Sequence, residues 1–328
     1  MRSKIEACLI IFISVFMIFG CTAVPSGDKE KGGEEISEAA SEESGMVVVE
    51  DVISEEDGTQ ASEETEEASE PEEIEASESE KEILHFVDVF GEEYEVEIDP
   101  DIPKHPYDLS LFEHKGQKLT YDDDKWTSRL GIDVSHHQGD IDWKMVADQG
   151  FEFAILRIGY RGYGKEGKVC PDNKYQEYIK GAKEAGLDVG VYFFAQAVNE
   201  DEAIEEAEFV LKILDGTKLD LPVVYDPESI LDDEARTDDV SGEQFTKNTV
   251  AFLQTIKAAG YEPMVYSNML WEAYELDLKE LPDIPVWYAD YEILPQTPYD
   301  FTMWQYSNEG KVRGILGVCD LDIQLIRK

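Results

Sequence analysis

The chain has 328 residues, of which 74 are Asp or Glu and 28 are Lys or Arg, for a formal net charge of −46. Such a surplus repels phosphate backbones and anionic lipid surfaces, so nucleic acid is excluded as the main partner. The surplus is uneven: residues 28–82 hold 23 acidic and 3 basic side chains, and residues 83–328 hold 50 and 23, the balance of an acidic globular domain long enough to be one α/β barrel.

At the N-terminus, Arg2 and Lys4 precede a 13-residue apolar run over 7–19, then Gly20-Cys21. A basic start, an apolar run too short for a comfortable membrane span, and a small residue before the cysteine read as an export signal over residues 1–20. Ile18-Phe19-Gly20-Cys21 resembles a bacterial lipobox. Cys21 is therefore expected to carry lipid and to anchor the chain on the outer face of the bacterial cell membrane, in the cell-wall space. Residues 21–82 are Glu, Ser, Ala and Gly with recurring Ala-Ser-Glu. They offer too little apolar surface to offset chain entropy, so a disordered tether is expected. Self-repulsion should extend it beyond the roughly 40 Å expected of about 55 flexible residues.

Residues 84–90 and 94–98 alternate apolar and polar around Gly91-Glu92-Glu93, which predicts a hairpin. Pro100, Pro103 and Pro106 then break regular structure. Residues 83–129 thus form a small β annex, expected on the flank of the next domain. Its histidines, His85, His105 and His114, have no ligand spacing.

From 130 to 328 strands alternate with helices. Strands are predicted at 130–134, 153–158, 189–194, 221–226 and 263–266, with helices at 142–149, 173–185, 200–214 and 241–259. Gly186 and Gly260 close two of the helices and Ser241 caps the last. Helices then thin out, and 285–289, 301–306 and 318–323 read as strands. The expected fold is α/β: an irregular TIM-like barrel of eight strands, five β–α units followed by mostly β.

Chemistry in such barrels sits at the carboxyl ends of the strands, and Asp133, Asp226, Glu228 and Asp320 occupy those ends. Asp226 and Glu228 are two apart in extended chain, so their side chains point the same way, with backbones ~6.6 Å apart at ~3.3 Å per residue. Two carboxylates that close push one pKa up, and an acid still protonated near neutrality is what cleavage of a glycosidic bond requires. The alternative for the pair is a solvated loop. Tyr192, Tyr225, Trp287, Tyr288, Trp304 and Tyr306 lie on or beside strands, where rings either stack on sugars or fill the core.

The segments Gly131-Ile132-Asp133-Val134-Ser135, Ile141-Asp142-Trp143, Tyr225-Asp226-Pro227-Glu228, Trp287-Tyr288-Ala289 and Trp304-Gln305-Tyr306 through Val318-Cys319-Asp320-Leu321-Asp322 resemble, in order, glycoside hydrolase family 25, the Chalaropsis-type lysozymes. The resemblance spans about 130–328. It implies an N-acetylmuramidase that cleaves the β-1,4 bond between N-acetylmuramic acid and N-acetylglucosamine in peptidoglycan, without a cofactor. It implies Glu228 as general acid and Asp226 as the residue that orients the substrate's 2-acetamido group, whose oxygen attacks the anomeric carbon. Asp133 and Asp320 would line the site beside them. Phe193 departs from the pattern, since many members have histidine there, and its loss is expected to remove a polar contact.

Cys170 and Cys319 remain after the signal and lipid cysteines. In an exported chain, with Cys170 in the loop after the second strand and Cys319 at the end of the eighth, both strands flanking the first, they are expected to pair. No metal-ligand spacing is present, and His136-His137 follow the first strand within reach of a substrate. Asp172 is a helix cap or a sugar contact. Two other readings stay open: a peptidoglycan-binding module without catalysis, and a hydrolase of another N-acetylglucosamine polymer.

Overall fold

A computed structural model describes residues 81–231 and 233–328. The export signal, Cys21 and the tether up to residue 80 lie outside the described residues. The annex opens with β1 (Ile83–Val87) and β2 (Glu93–Glu97), an antiparallel hairpin with Ile83 opposite Glu97. A second small hairpin, β3 (Glu113–Lys115) and β4 (Lys118–Thr120), follows.

The barrel begins with β5 (Trp126–Val134), α1 (Trp143–Ala147), β6 (Phe153–Arg161), β7 (Val169–Pro171), α2 (Tyr175–Glu184) and β8 (Asp188–Ala195). It continues with α3 (Glu200–Leu214), β9 (Val223–Pro227), α4 (Gly242–Ala258), β10 (Pro263–Asn268) and α5 (Met269–Tyr274). It ends with β11 (Val286–Ala289), β12 (Met303–Gly310) and β13 (Cys319–Arg327). The strand order is β5-β13-β12-β11-β10-β9-β8-β6, and β5–β6 pairing closes eight strands into a barrel. Neighbours are parallel except at β13, which runs against both β12 and β5. The predicted helix of 200–214 is α3, with Asn199 Oδ1 capping Glu202 N at 3.0 Å. Gly186 and Gly260 take φ of 84° and 88° just past α2 and α4, which an L side chain rarely adopts.

Strands buried on both faces alternate strictly. Phe193 faces outward, packed on Phe209 of α3 and Phe252 of α4. It belongs to the helix–sheet core, so its replacement of a histidine removes no contact from the cleft. After β11 no helix of the described residues covers the barrel, and the annex does so instead. The Tyr107 hydroxyl donates to Phe301 O at 2.7 Å, Phe112 meets Trp304 edge-on at 5.4 Å, and the Tyr306 hydroxyl donates to Gln117 O at 3.1 Å. The annex thus supplies the apolar cover that β11 and β12 would otherwise lack.

Candidate active site

A cleft of about 420 Å³ opens at the carboxyl ends of the parallel strands, and Asp133, Asp226, Glu228 and Asp320 all line it. Asp320, expected at a carboxyl end, instead sits at the amino end of β13, which reaches the same rim because it runs antiparallel. Three strands bring them together. Asp133 ends β5 opposite Asp320 on β13, and Asp226 lies on β9 with Glu228 just beyond its end.

Burial decides their charge. Burial holds the Asp226 carboxyl well above the ordinary range, the Glu228 charge adds to this, and the Arg157 guanidinium opposes it. Burial pushes Glu228 up to about 7, opposed by a hydrogen bond with Tyr266 and reinforced by Asp320. Asp320 is also raised by burial to about 7, while its own hydrogen bonds, one of them with Asp133, pull the other way. Asp133 is raised by burial and then by the charges of Asp320 and Asp322, while a hydrogen bond from Gln305 opposes. The cluster therefore holds protons near neutrality, as a general acid needs. Asp226 Oδ1 is buried with no hydrogen-bond partner among the described residues, a polar atom left for something that enters the cleft.

Gln305, Tyr266, Tyr291 and Arg157, to which sequence reasoning gave no role, complete the site together with Trp287, Asp172 and His137. Gln305 Nε2 donates to Asp133 Oδ2 at 2.7 Å, and its Oε1 accepts from the hydroxyls of Tyr266 and Tyr291 at 3.0 and 2.9 Å. Trp287 Nε1 donates to Asp322 Oδ1 at 2.9 Å, tying a cleft ring to a fully buried carboxyl. Arg157 is the cation facing Asp226, and its Nε donates to Asp172 Oδ2 at 3.0 Å. Burial alone would raise Asp172, but hydrogen bonds with His136 and the Arg157 charge bring it to about 2. Asp172 accordingly braces Arg157, and its Oδ1 accepts from Lys174 N at 2.9 Å in the turn before α2 without capping that helix. His137 lines the cleft, and burial, with the Arg157 charge, lowers it to about 4.

Of the six predicted aromatic contacts, Tyr192 and Trp287 line the cleft. Tyr225, Tyr288, Trp304 and Tyr306 do not. They are one residue out of phase with the lumen-facing Asp226, Trp287 and Gln305, so the pleat turns them outward. Tyr225 packs on Phe252 of α4, Tyr288 on Phe301, and Trp304 and Tyr306 against the annex.

The expected bond between Cys170 and Cys319 is absent: both are buried thiols and no disulfide joins them. Cys170 on β7 pairs only across from Tyr160 at the far end of β6, and Cys319 only across from Gly310 of β12. The exit of β5 lies between the two ribbons. Burial and the carboxylates around Cys319 push its thiol up, which keeps it unreactive. Among the described residues no group of three or more His, Cys, Asp or Glu is placed to hold a metal ion.

The model of the family described as glycosyl hydrolases family 25 matches residues 132–315. The chain is 29% identical over 193 residues to the autolytic lysozyme of Clostridium acetobutylicum, covering 58% of this chain. It spans 54% of that relative, little more than half its length. The spore cortex lytic enzyme SleM of Clostridium perfringens is 26% identical with a TM-score of 0.52, covering 60% of this chain and 67% of that one. A family 25 glycosyl hydrolase of Bacillus anthracis shares the fold at 22% identity and a TM-score of 0.51, covering 64% of this chain and 94% of that one.

Proposed function

The chain belongs to glycosyl hydrolase family 25, and we propose that it is a lysozyme, an N-acetylmuramidase that hydrolyses the β-1,4 bond after N-acetylmuramic acid in peptidoglycan. The observation that carries this reading is the convergence of Asp133, Asp226, Glu228 and Asp320 on one cleft with protons held near neutrality. Relatives named as a lysozyme and as a cortex-lytic enzyme support the substrate class. In this reading Glu228 donates its proton to the glycosidic oxygen as the bond to the anomeric carbon breaks. The acetamido oxygen, oriented by Asp226, bonds to that carbon from the other face. Water then opens the resulting ring, giving its proton to Glu228, so configuration is retained. Tyr192 and Trp287 flank the sugar.

The barrel is read as TIM-like because helices follow its first five strands and not its last three. The domain division at 83 and 130, the tether and lipid attachment at Cys21 rest on the sequence, and they put the enzyme on the outer face of the membrane. Cys21→Ala should move the protein out of the membrane fraction; unchanged fractionation and mass would count against the anchor.

Digestion of purified peptidoglycan, with mass spectrometry of reduced products, tests the function. N-acetylmuramic acid at the new reducing ends is expected. N-acetylglucosamine there, or cleavage of chitin in preference, would point to another glycosidase. Binding without release of fragments would point to a binding module.

A further inference from the structure

We propose that Gln196 is a positioning residue for Glu228, an inference that rests on the acid role proposed above. Gln196 immediately follows β8, whose last residue, Ala195, pairs with Pro227 at the end of β9. That register sets Gln196 beside the residue after Pro227. Its side chain is 1% exposed and uses both ends of its carboxamide. Nε2 donates to the backbone oxygen of Glu228 at 2.7 Å, and Oε1 accepts from the Thr237 hydroxyl at 2.9 Å. Both partners belong to the segment between β9 and α4. One amide thus ties the residue that carries the acid to a second point on the same segment.

The anchor is itself fixed. Gln196 N donates to Glu206 Oε1 at 3.2 Å, and that oxygen also accepts from Arg161 Nε at 2.7 Å. The next residue is held from α4, where Asn248 Nδ2 donates to Ala197 O at 2.8 Å. Glu206, Arg161, Asn248 and Thr237 are all buried. A buried amide with its donor and acceptor both engaged has one orientation, because a flip would leave two polar groups unpaired. Gln196 is not among the described residues that line the cleft, so it acts through Glu228 rather than on substrate. A proton donor displaced by about 1 Å loses on the order of 10²-fold in rate.

The test measures kcat, KM and the pH–rate profile of the full chain on purified peptidoglycan, with folding checked by circular dichroism. Gln196→Met keeps length and removes both hydrogen bonds. It should lower kcat by roughly 10- to 10²-fold with KM unchanged. Water admitted around a loosened Glu228 should also move the basic limb to lower pH. Thr237→Val should show a smaller change of the same kind, reversed in Thr237→Ser. Wild-type kcat and pH profile in a folded Gln196→Met protein overturn the proposal. So does a fall in thermal midpoint with kcat per folded molecule unchanged. Should Gln196→Met not fold, Thr237→Val decides by the same criteria. Glu228→Gln, run alongside, separates the two readings. If it keeps more than about a tenth of wild-type kcat, the acid assignment is wrong. If it is inactive while the Gln196 and Thr237 variants match wild type, only the positioning role is wrong.

Discussion

Glu228 has two features that a proton donor combines, a carboxyl held at about 7 and a place on the cleft wall. Glu228→Gln keeps the shape and removes the transferable proton. A lost general acid costs roughly 10²–10⁴-fold, and the loss should fall on kcat, with KM little changed because the cleft rings are intact. Steady-state kinetics on purified peptidoglycan check this. The raised pKa has a separable cause in the Asp320 charge. Asp320→Asn removes a negative neighbour and so makes the Glu228 carboxylate easier to form. The basic limb of the pH–rate profile should move to lower pH, and a limb that stays put would show that burial alone holds the proton.

At the scale of the element, the pleat sorts the aromatics. Trp287 and Trp304 are neighbours in the barrel wall, on β11 and β12, and both are almost fully buried, yet they do different work. Trp304 lies between barrel and annex, with its Nε1 donating to Asp290 O at 2.8 Å. Trp304→Ala should cost about 3–5 kcal/mol of stability, measured by denaturant unfolding. Turnover per folded molecule should persist. Trp287→Ala should instead raise KM, since that ring lines the cleft. The reverse pattern would put the annex-facing ring in the substrate path. Composition alone left each ring open between cleft and core, although the alternation that decides between them is present in the sequence. Asp226 and Glu228 fix the phase of β9, so Tyr225, one residue before Asp226, faces out onto α4. The same alternation marks Arg157 and Gln305, polar residues within otherwise apolar strands, as lumen-facing. What the sequence hid was short or set by distant partners. Three-residue β3, β4 and β7 and six-residue α5 carry too little period to read. Tyr291 joins the site through a loop, and Asp172 through contacts from β6 and the turn after β5.

Across the whole molecule, buried acids set how stability depends on pH. Burial raises Glu206 to about 7, against the opposing charge of Arg161, and raises Glu272 to about 8, against a hydrogen bond from Thr297. Glu228 and Asp320 stand at about 7. Each of these groups keeps its proton in the fold at pH values where the unfolded chain has lost it. Their contribution to stability is fully present below the ordinary carboxylate pKa of about 4 and is lost as pH rises through 7 to 8. Asp172, held near 2, acts in the opposite sense, and its contribution fades only as pH falls from about 4 toward 2. Self-repulsion of a chain with net charge −46 at pH 7 also grows as the remaining carboxyls ionise. His137, lowered to about 4 by burial, pushes the other way up to the ordinary histidine pKa of about 6.5, but the raised carboxyls outnumber it, and above that the carboxyls and the self-repulsion push together. The thermal midpoint should be highest near pH 5 and fall toward pH 8.5, as followed by scanning calorimetry at constant ionic strength. Glu272 lies outside the cleft, so Glu272→Gln isolates one contributor without touching the acid. That variant should flatten the slope between pH 6 and 8.5. A midpoint that is level or rises across this range would mean that the buried carboxyls ionise in the fold as readily as in the unfolded chain.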